Sequence, residues 1–134
     1  MSNVFQQHGA FSWSELMTDE PEKIVTFYQE TIGWDVEAMT MENGPYYILK
    51  VAGQPVAGIM GKPEGYEHIP NHWGTYITVD DVDETLAKAK AAGGCAVYEP
   101  KDIPEVGRIC AISDPAGGIV SIITYNASVT DEEA

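Results

Sequence analysis

The stretch Gly107–Tyr125, GRICAISDPAGGIVSIITY, decides the fold. Two runs rich in Ile and Val flank Asp114-Pro115-Ala116-Gly117-Gly118, where proline presets φ, aspartate can bond its own backbone and glycine accepts positive φ. The pattern predicts a β-hairpin. Sliding the sequence against itself by about 61 positions finds a weak counterpart at Tyr46–Ile59, YYILKVAGQPVAGI, with Gly53-Gln54-Pro55 at the turn and Met60 opposite Ser121. At that offset Glu20-Pro21-Glu22 meets Asp81-Val82-Asp83, Gly33 meets Gly94 and Val36 meets Val97. Few of these pairs are identities. What repeats is the order of events: strand, acidic helix start, helix, glycine stop, three strands.

Working outward, residues 1–10 show no periodicity and are expected to form a loosely held arm. Phe11–Met17 alternates, with Phe11, Trp13, Glu15 and Met17 on one face, and predicts a strand. Thr18-Asp19-Glu20-Pro21 starts a helix with an apolar stripe of Ile24, Val25, Phe27, Tyr28 and Ile32, which Gly33 ends. Strands over Trp34–Met41, Tyr46–Val51 and Val56–Met60 complete a first βαβββ module, residues 11–60. Glu42-Asn43-Gly44-Pro45 separates the first two of these strands. Gly61–His72, with two Pro and two Gly, is read as a linker. The second module, 73–125, repeats the plan: a strand over Gly74–Val79, a helix capped by Asp80 or Asp81 and stopped at Gly93-Gly94, then strands over Cys95–Tyr98, Arg108–Ser113 and Ile119–Tyr125. The Pro-containing Glu99–Val106 is expected to be a loop leaning over a cleft. The acidic tail 126–134 is expected to be disordered. The fold class is therefore α+β.

At 134 residues the chain is long enough for one core. Its composition, 44% hydrophobic and 21% charged, is that of a globular domain, and no apolar run approaches the roughly 20 residues of a membrane helix. A formal charge of −14, from 21 acids against 7 bases, argues against nucleic acid or an anionic membrane as partner and leaves small molecules and proteins. Cys95 and Cys110 form neither a CxxC pair nor a disulfide framework and are expected to be buried reduced thiols. The N-terminus MSNVFQQHG lacks a signal-peptide pattern, so a cytoplasmic location is expected.

Tandem βαβββ modules with VDDVDETLAKAKAAGG at the second helix and DPAGG in the last hairpin resemble the vicinal-oxygen-chelate superfamily, which includes glyoxalase I, extradiol dioxygenases, fosfomycin-resistance enzymes and bleomycin-resistance proteins. Trp13-Ser14-Glu15-Leu16, Phe27-Tyr28, Gly33-Trp34, His72-Trp73 and Gly107-Arg108 look most like a branch of small glyoxalase-like proteins related to a two-domain mycobacterial antigen and to proteins often labelled hydroxylases. The resemblance implies a curled mixed sheet around a cleft, helices outside, and a homodimer. It also implies where a divalent metal would be held: the first-strand ligand positions fall on Trp13 and near Gly74, the last-strand positions on Met60 and Ser121. None of these is His, Glu, Asp or Cys, so no metal or other cofactor is expected. A shift of one or two positions would bring Glu15 or His72 into the ligand set.

On these placements Glu15 shares the cleft face with Trp13, Met17 and Met60, surroundings that raise a carboxyl pKa and suit it to acid–base work or to recognising a cation. The alternative is that Glu15 accepts bonds from a tyrosine or a backbone N–H and merely orders the cleft. Tyr76, as a second catalytic candidate, with His72, Thr78 and Ser121 as ligand-binding candidates, faces inward from the second module. Arg108, the only arginine, is expected to pair with Asp114 or Glu105. The leading functional expectation is a metal-free protein that binds a small cationic or aromatic molecule. The alternatives are a metal-independent enzyme using Glu15, with Tyr76 or His72, for proton transfer, and a metal-dependent lyase or dioxygenase with relocated ligands.

Overall fold

A computed structural model describes residues 3–41 and 44–127, together with Val129. Its elements are β1 (Phe11–Thr18), α1 (Pro21–Thr31), β2 (Asp35–Met41), β3 (Gly44–Val51), β4 (Gln54–Gly61), β5 (His72–Thr78), α2 (Val82–Ala91), β6 (Cys95–Ile103), β7 (Gly107–Ser113) and β8 (Ile119–Tyr125). This is βαβββ twice. The chain divides into two compact units: one is Trp13–Gly74, and the other joins the chain before Trp13 to the chain after Gly74. Among the described residues no helix is long and apolar enough to cross a membrane.

In the first module β1 runs parallel to β4, while β3 pairs antiparallel with both β4 and β2. The strand order is β2-β3-β4-β1. Alternation along β1 sends Leu16 and Thr18 to one side, where they are 6% and 2% exposed. There Leu16, Leu49, Ala57 and Ile59 meet Val25 of α1 and make the core. Each such buried aliphatic contributes roughly 1.5–3 kcal/mol. Trp13, Glu15 and Met17 therefore lie on the face turned away from α1. The α1 stripe is narrower than expected: Ile24 and Tyr28 pack on the core, but Phe27 and Ile32 are exposed. Gly33, at φ +85°, turns the chain out of the helix, with its N–H on the Tyr28 carbonyl. The expected linker is tied to this module. Lys62 pairs with Asp19 at 3.0 Å, and Asn71 Oδ1 accepts the Asp19 N–H at 3.1 Å.

The second module repeats the topology as β5-β8-β7-β6, with β5 parallel to β8. Asp81 caps α2 by accepting the Glu84 N–H, and Val82 and Leu86 pack against Cys110, Ile122 and Val79. The DPAGG turn forms as its residues dictate. Asp114 Oδ1 accepts the N–H groups of Ala116 and Gly118, at 2.8 and 3.0 Å, while Gly117 takes φ +94°. These backbone bonds, Gly118's foremost, hold the Asp114 carboxyl below the usual range.

Four expectations are corrected. Cys95, expected to be a buried thiol, is exposed, whereas Cys110 is buried. Glu99–Val106 is mostly strand, because β6 continues to Ile103. The pairing breaks register between Tyr98 and Lys101, where Pro100 can sit without a ladder N–H at the edge of the module's sheet. Arg108 pairs with Asp83 and Asp102 instead of Asp114 or Glu105, which raises the guanidinium pKa and holds the Asp83 carboxyl low. Residues 3–10 are not loosely held. Gly9 N–H donates to the Thr78 carbonyl and Thr78 N–H to that of Ala10. The Thr78 hydroxyl donates to the Val4 carbonyl, His8 Nδ1 accepts the Asp80 N–H, and Phe5 packs edge-on against Tyr125 at 4.8 Å. The expected acidic tail after Ala127, Val129 apart, lies outside the described residues, as do Glu42 and Asn43 of the β2–β3 turn.

Candidate functional site

The face of the first module turned away from α1 is assembled by register. Glu15 pairs with Gly58, Gly58 with Ile48, and Ile48 with Glu37; the neighbouring row is Met17, Met60, Tyr46 and Met39. The first row thus has a gap at Gly58, flanked by a carboxylate and an isoleucine. The second row holds three thioethers, soft groups that adapt to irregular ligands.

Tyr46 fills the gap. Its ring reaches from β3 across β4, and a Cβ built on Gly58 would stand 1.9 Å from its hydroxyl oxygen and 2.3 Å from Cζ. Only glycine at 58 leaves this path open. The Tyr46 hydroxyl donates to Glu15 Oε2 at 2.7 Å and accepts from Trp13 Nε1 at 2.9 Å. An indole N–H can only donate, so the direction of the chain is fixed: indole to phenol, phenol to carboxylate. A hydrogen bond to an ionised acceptor is the strong kind, about 1.5–3 kcal/mol net. Glu15, Trp13, Met17, Tyr46 and Met60 are all half-buried, so the face is dry enough to strengthen electrostatic contacts. The nearest ion pair along the rows, Lys50 with Glu37, is already closed.

Of the residues singled out from sequence, Trp13, Glu15, Met17 and Met60 are thus brought to one face. The others belong to β5 and β8. Tyr76 and Ser121 are register partners on that module's sheet. Thr78, expected to bind ligand, is 3% exposed with its hydroxyl committed to Val4, so it anchors the arm instead. His72, expected to face inward, is exposed and donates its Nδ1–H to the Pro70 carbonyl at 2.8 Å. Tyr46 and Gly58 were not singled out as site residues. The available signal was the glycine inside the VAGI strand, which marks a close approach by another group.

The four positions implied for a metal carry an indole (Trp13), no side chain (Gly74), a thioether (Met60) and a hydroxyl (Ser121), a set without the carboxylate or imidazole donors a divalent ion requires. Among the described residues no three His, Cys, Asp or Glu side chains are grouped to hold one. The residues do not fit the metal. A hollow of about 360 Å³ lies elsewhere in the unit Trp13–Gly74, lined by Ser14, Trp34, Val56, Ala57 and Trp73. It has no ionisable side chain and so offers less chemistry than the Glu15 face.

Comparison with known proteins agrees with this architecture. The chain is 41% identical over 123 residues to CFP32 of Mycobacterium tuberculosis, provisionally named a glyoxylase, and 24% identical over 127 residues to the anthracycline biosynthesis protein DnrV of Streptomyces peucetius. These matches cover 91% and 85% of this chain but only 46% of each relative, so the chain spans about half the length of the curated relatives it matches. Methylmalonyl-CoA epimerase from Mycobacterium tuberculosis superposes with a TM-score of 0.66 at 14% identity, over 92% of this chain and 91% of the epimerase, which shows the shared fold. Residues 10–122 match the family model of the glyoxalase/bleomycin resistance protein/dioxygenase superfamily, and the chain belongs to that superfamily.

Proposed function

We propose that this chain binds a small cationic aromatic molecule on the Glu15 face of its first module, without a metal. The observation that carries the reading is one carboxylate, held by a phenol, among Trp13, Met17, Ile48 and Met60: an apolar, polarisable floor with a single fixed negative charge. A protonated amine next to that carboxylate gains Coulomb energy that a neutral isostere does not, of order 4 kcal/mol at 4 Å for a near-surface dielectric before desolvation costs. The −14 charge concentrates cations around the protein. Relatives named for anthracycline biosynthesis agree with a polycyclic aromatic ligand.

The test is a matched pair of probes, 9-aminoacridine, a cation at pH 7.5, and acridine, neutral there, titrated by probe fluorescence. Glu15→Gln should weaken 9-aminoacridine about 10–100-fold and leave acridine within about twofold. Equal affinity of both probes for wild type and variant would refute it. The second reading, proton transfer by Glu15, is favoured by the Tyr46 bond, which fixes the carboxylate in one orientation. A Glu15→Gln variant that keeps ligand affinity but loses turnover would support that reading over binding. We also propose a homodimer as the working unit, because β2 and β6 stand at the ends of the strand order with one edge each available for pairing, and a reducing, cytoplasmic setting, because exposed Cys95 and buried Cys110 are both free thiols.

A further inference from the structure

We propose that Tyr46, seated over Gly58, is the positioning residue of this face and sets its preference for cationic over neutral ligands; the proposal rests on reading Glu15 as the counter-charge. A glutamate side chain has three rotatable bonds, and fixing it costs up to about 1.5–2 kcal/mol when a ligand must do so at the moment of binding. Here β3 does it in advance. Tyr46 and Glu15 are 31 positions apart in sequence, on strands separated by β4, and the phenol crosses β4 at Gly58, where no side chain stands in its way. Trp13, two residues before Glu15 on the same face of β1, holds the phenol oxygen from the other side.

The polarity of the chain decides what it can recognise. Because the phenol oxygen accepts the indole proton and its own proton goes to Glu15, what the Tyr46 and Glu15 oxygens can offer a ligand is acceptors, not donors. A ligand carbonyl or ether finds no proton in this array. An ammonium, amidinium or guanidinium finds a charge already oriented. Selectivity then comes from Tyr46 as well as from Glu15, since the phenol bond restricts the carboxylate before a ligand arrives.

Tyr46→Phe keeps the ring over Gly58 and removes one oxygen. It should weaken 9-aminoacridine about tenfold, the scale of one hydrogen bond to an ionised group, and change acridine less than about twofold. Trp13→Phe, which frees the phenol to rotate, should move the ratio of the two affinities in the same direction by less. A structural role would lower both affinities together or shift only the melting temperature, so the ratio is the diagnostic readout. If Glu15→Gln weakens 9-aminoacridine while Tyr46→Phe does not, the Tyr46 proposal is wrong and the reading of Glu15 stands. If wild type binds neither probe, both fall. Should Tyr46→Phe melt too low to assay, Gly58→Ala, which displaces the ring with every functional group retained, must give the same loss of ratio or the proposal is overturned.

Discussion

Gly58→Ala is the most exacting perturbation of this structure, because a single methyl group is expected to reverse the usual sign of its effect. Gly58 is not in the left-handed region, so alanine should fit its backbone and, by restricting the unfolded chain, stabilise by about 0.4–1 kcal/mol. The three atoms nearest the new Cβ all belong to the Tyr46 side chain, at 1.9, 2.3 and 2.5 Å, far inside any real contact. The ring must leave. With it go the bond to Glu15, about 1.5–3 kcal/mol, and that from Trp13, about 1 kcal/mol, part of which water restores at half-buried groups. The net loss is about 1–2.5 kcal/mol, a fall in Tm of about 4–10 °C for a chain of this size. The assay is a double-mutant cycle by thermal and urea unfolding, with Gly58→Ala made in wild type and in Tyr46→Ala. In the second background the same methyl meets no ring and should be neutral or stabilising. A coupling below about 0.5 kcal/mol, or an equally stable Gly58→Ala single variant, would refute the placement of Tyr46 over Gly58.

Two further outcomes follow from titrating groups. Cys110 is fully buried, and burial pushes its thiol up from the ordinary value, whereas Cys95 is exposed. Maleimide labelling of the native protein at mildly alkaline pH should therefore modify Cys95 alone by mass spectrometry, with Cys110 reacting only after denaturation. Asp114 has its carboxyl lowered by the turn's N–H groups, so its contribution is complete above its ordinary value near 3.8 and is lost as pH falls through the lower folded value. Asp114→Asn cannot titrate; its stability should decline less steeply than wild type between about pH 5 and pH 2, and parallel curves would show that the turn does not depend on that charge.

The repeat was legible in sequence because its signals are local. A turn such as DPAGG, an Asp81 cap three residues before Glu84, and glycine stops at Gly33 and Gly93 are decided within a few residues of chain, and they appear where the pattern puts them. Alternation along β1 likewise placed Glu15 with Trp13 and Met17. The misread elements are those where a non-local partner overrides the local signal. Pro100 reads as a loop residue until β7 is there to pair around it. Residues 3–10 have no period of their own and are ordered by bonds to Thr78, Asp80 and Tyr125, about seventy or more positions away. Tyr46 belongs to this class too. Its partners lie beyond an intervening strand, and the only local trace of the contact is the glycine it passes over.

The same four-strand order serves two ends in the two modules, and the difference lies in what meets the face turned away from each helix. In the second module Thr78 and Tyr125 stand on that face and are taken by the chain's own beginning, through the Val4 carbonyl, the Phe5 ring and the Ser12 hydroxyl on Tyr125. Both hydroxyls are thereby hydrogen-bonded to the chain's own beginning. In the first module one side chain of β3 is laid across a glycine of β4 onto β1, so a contact within the unit's own sheet orders that face.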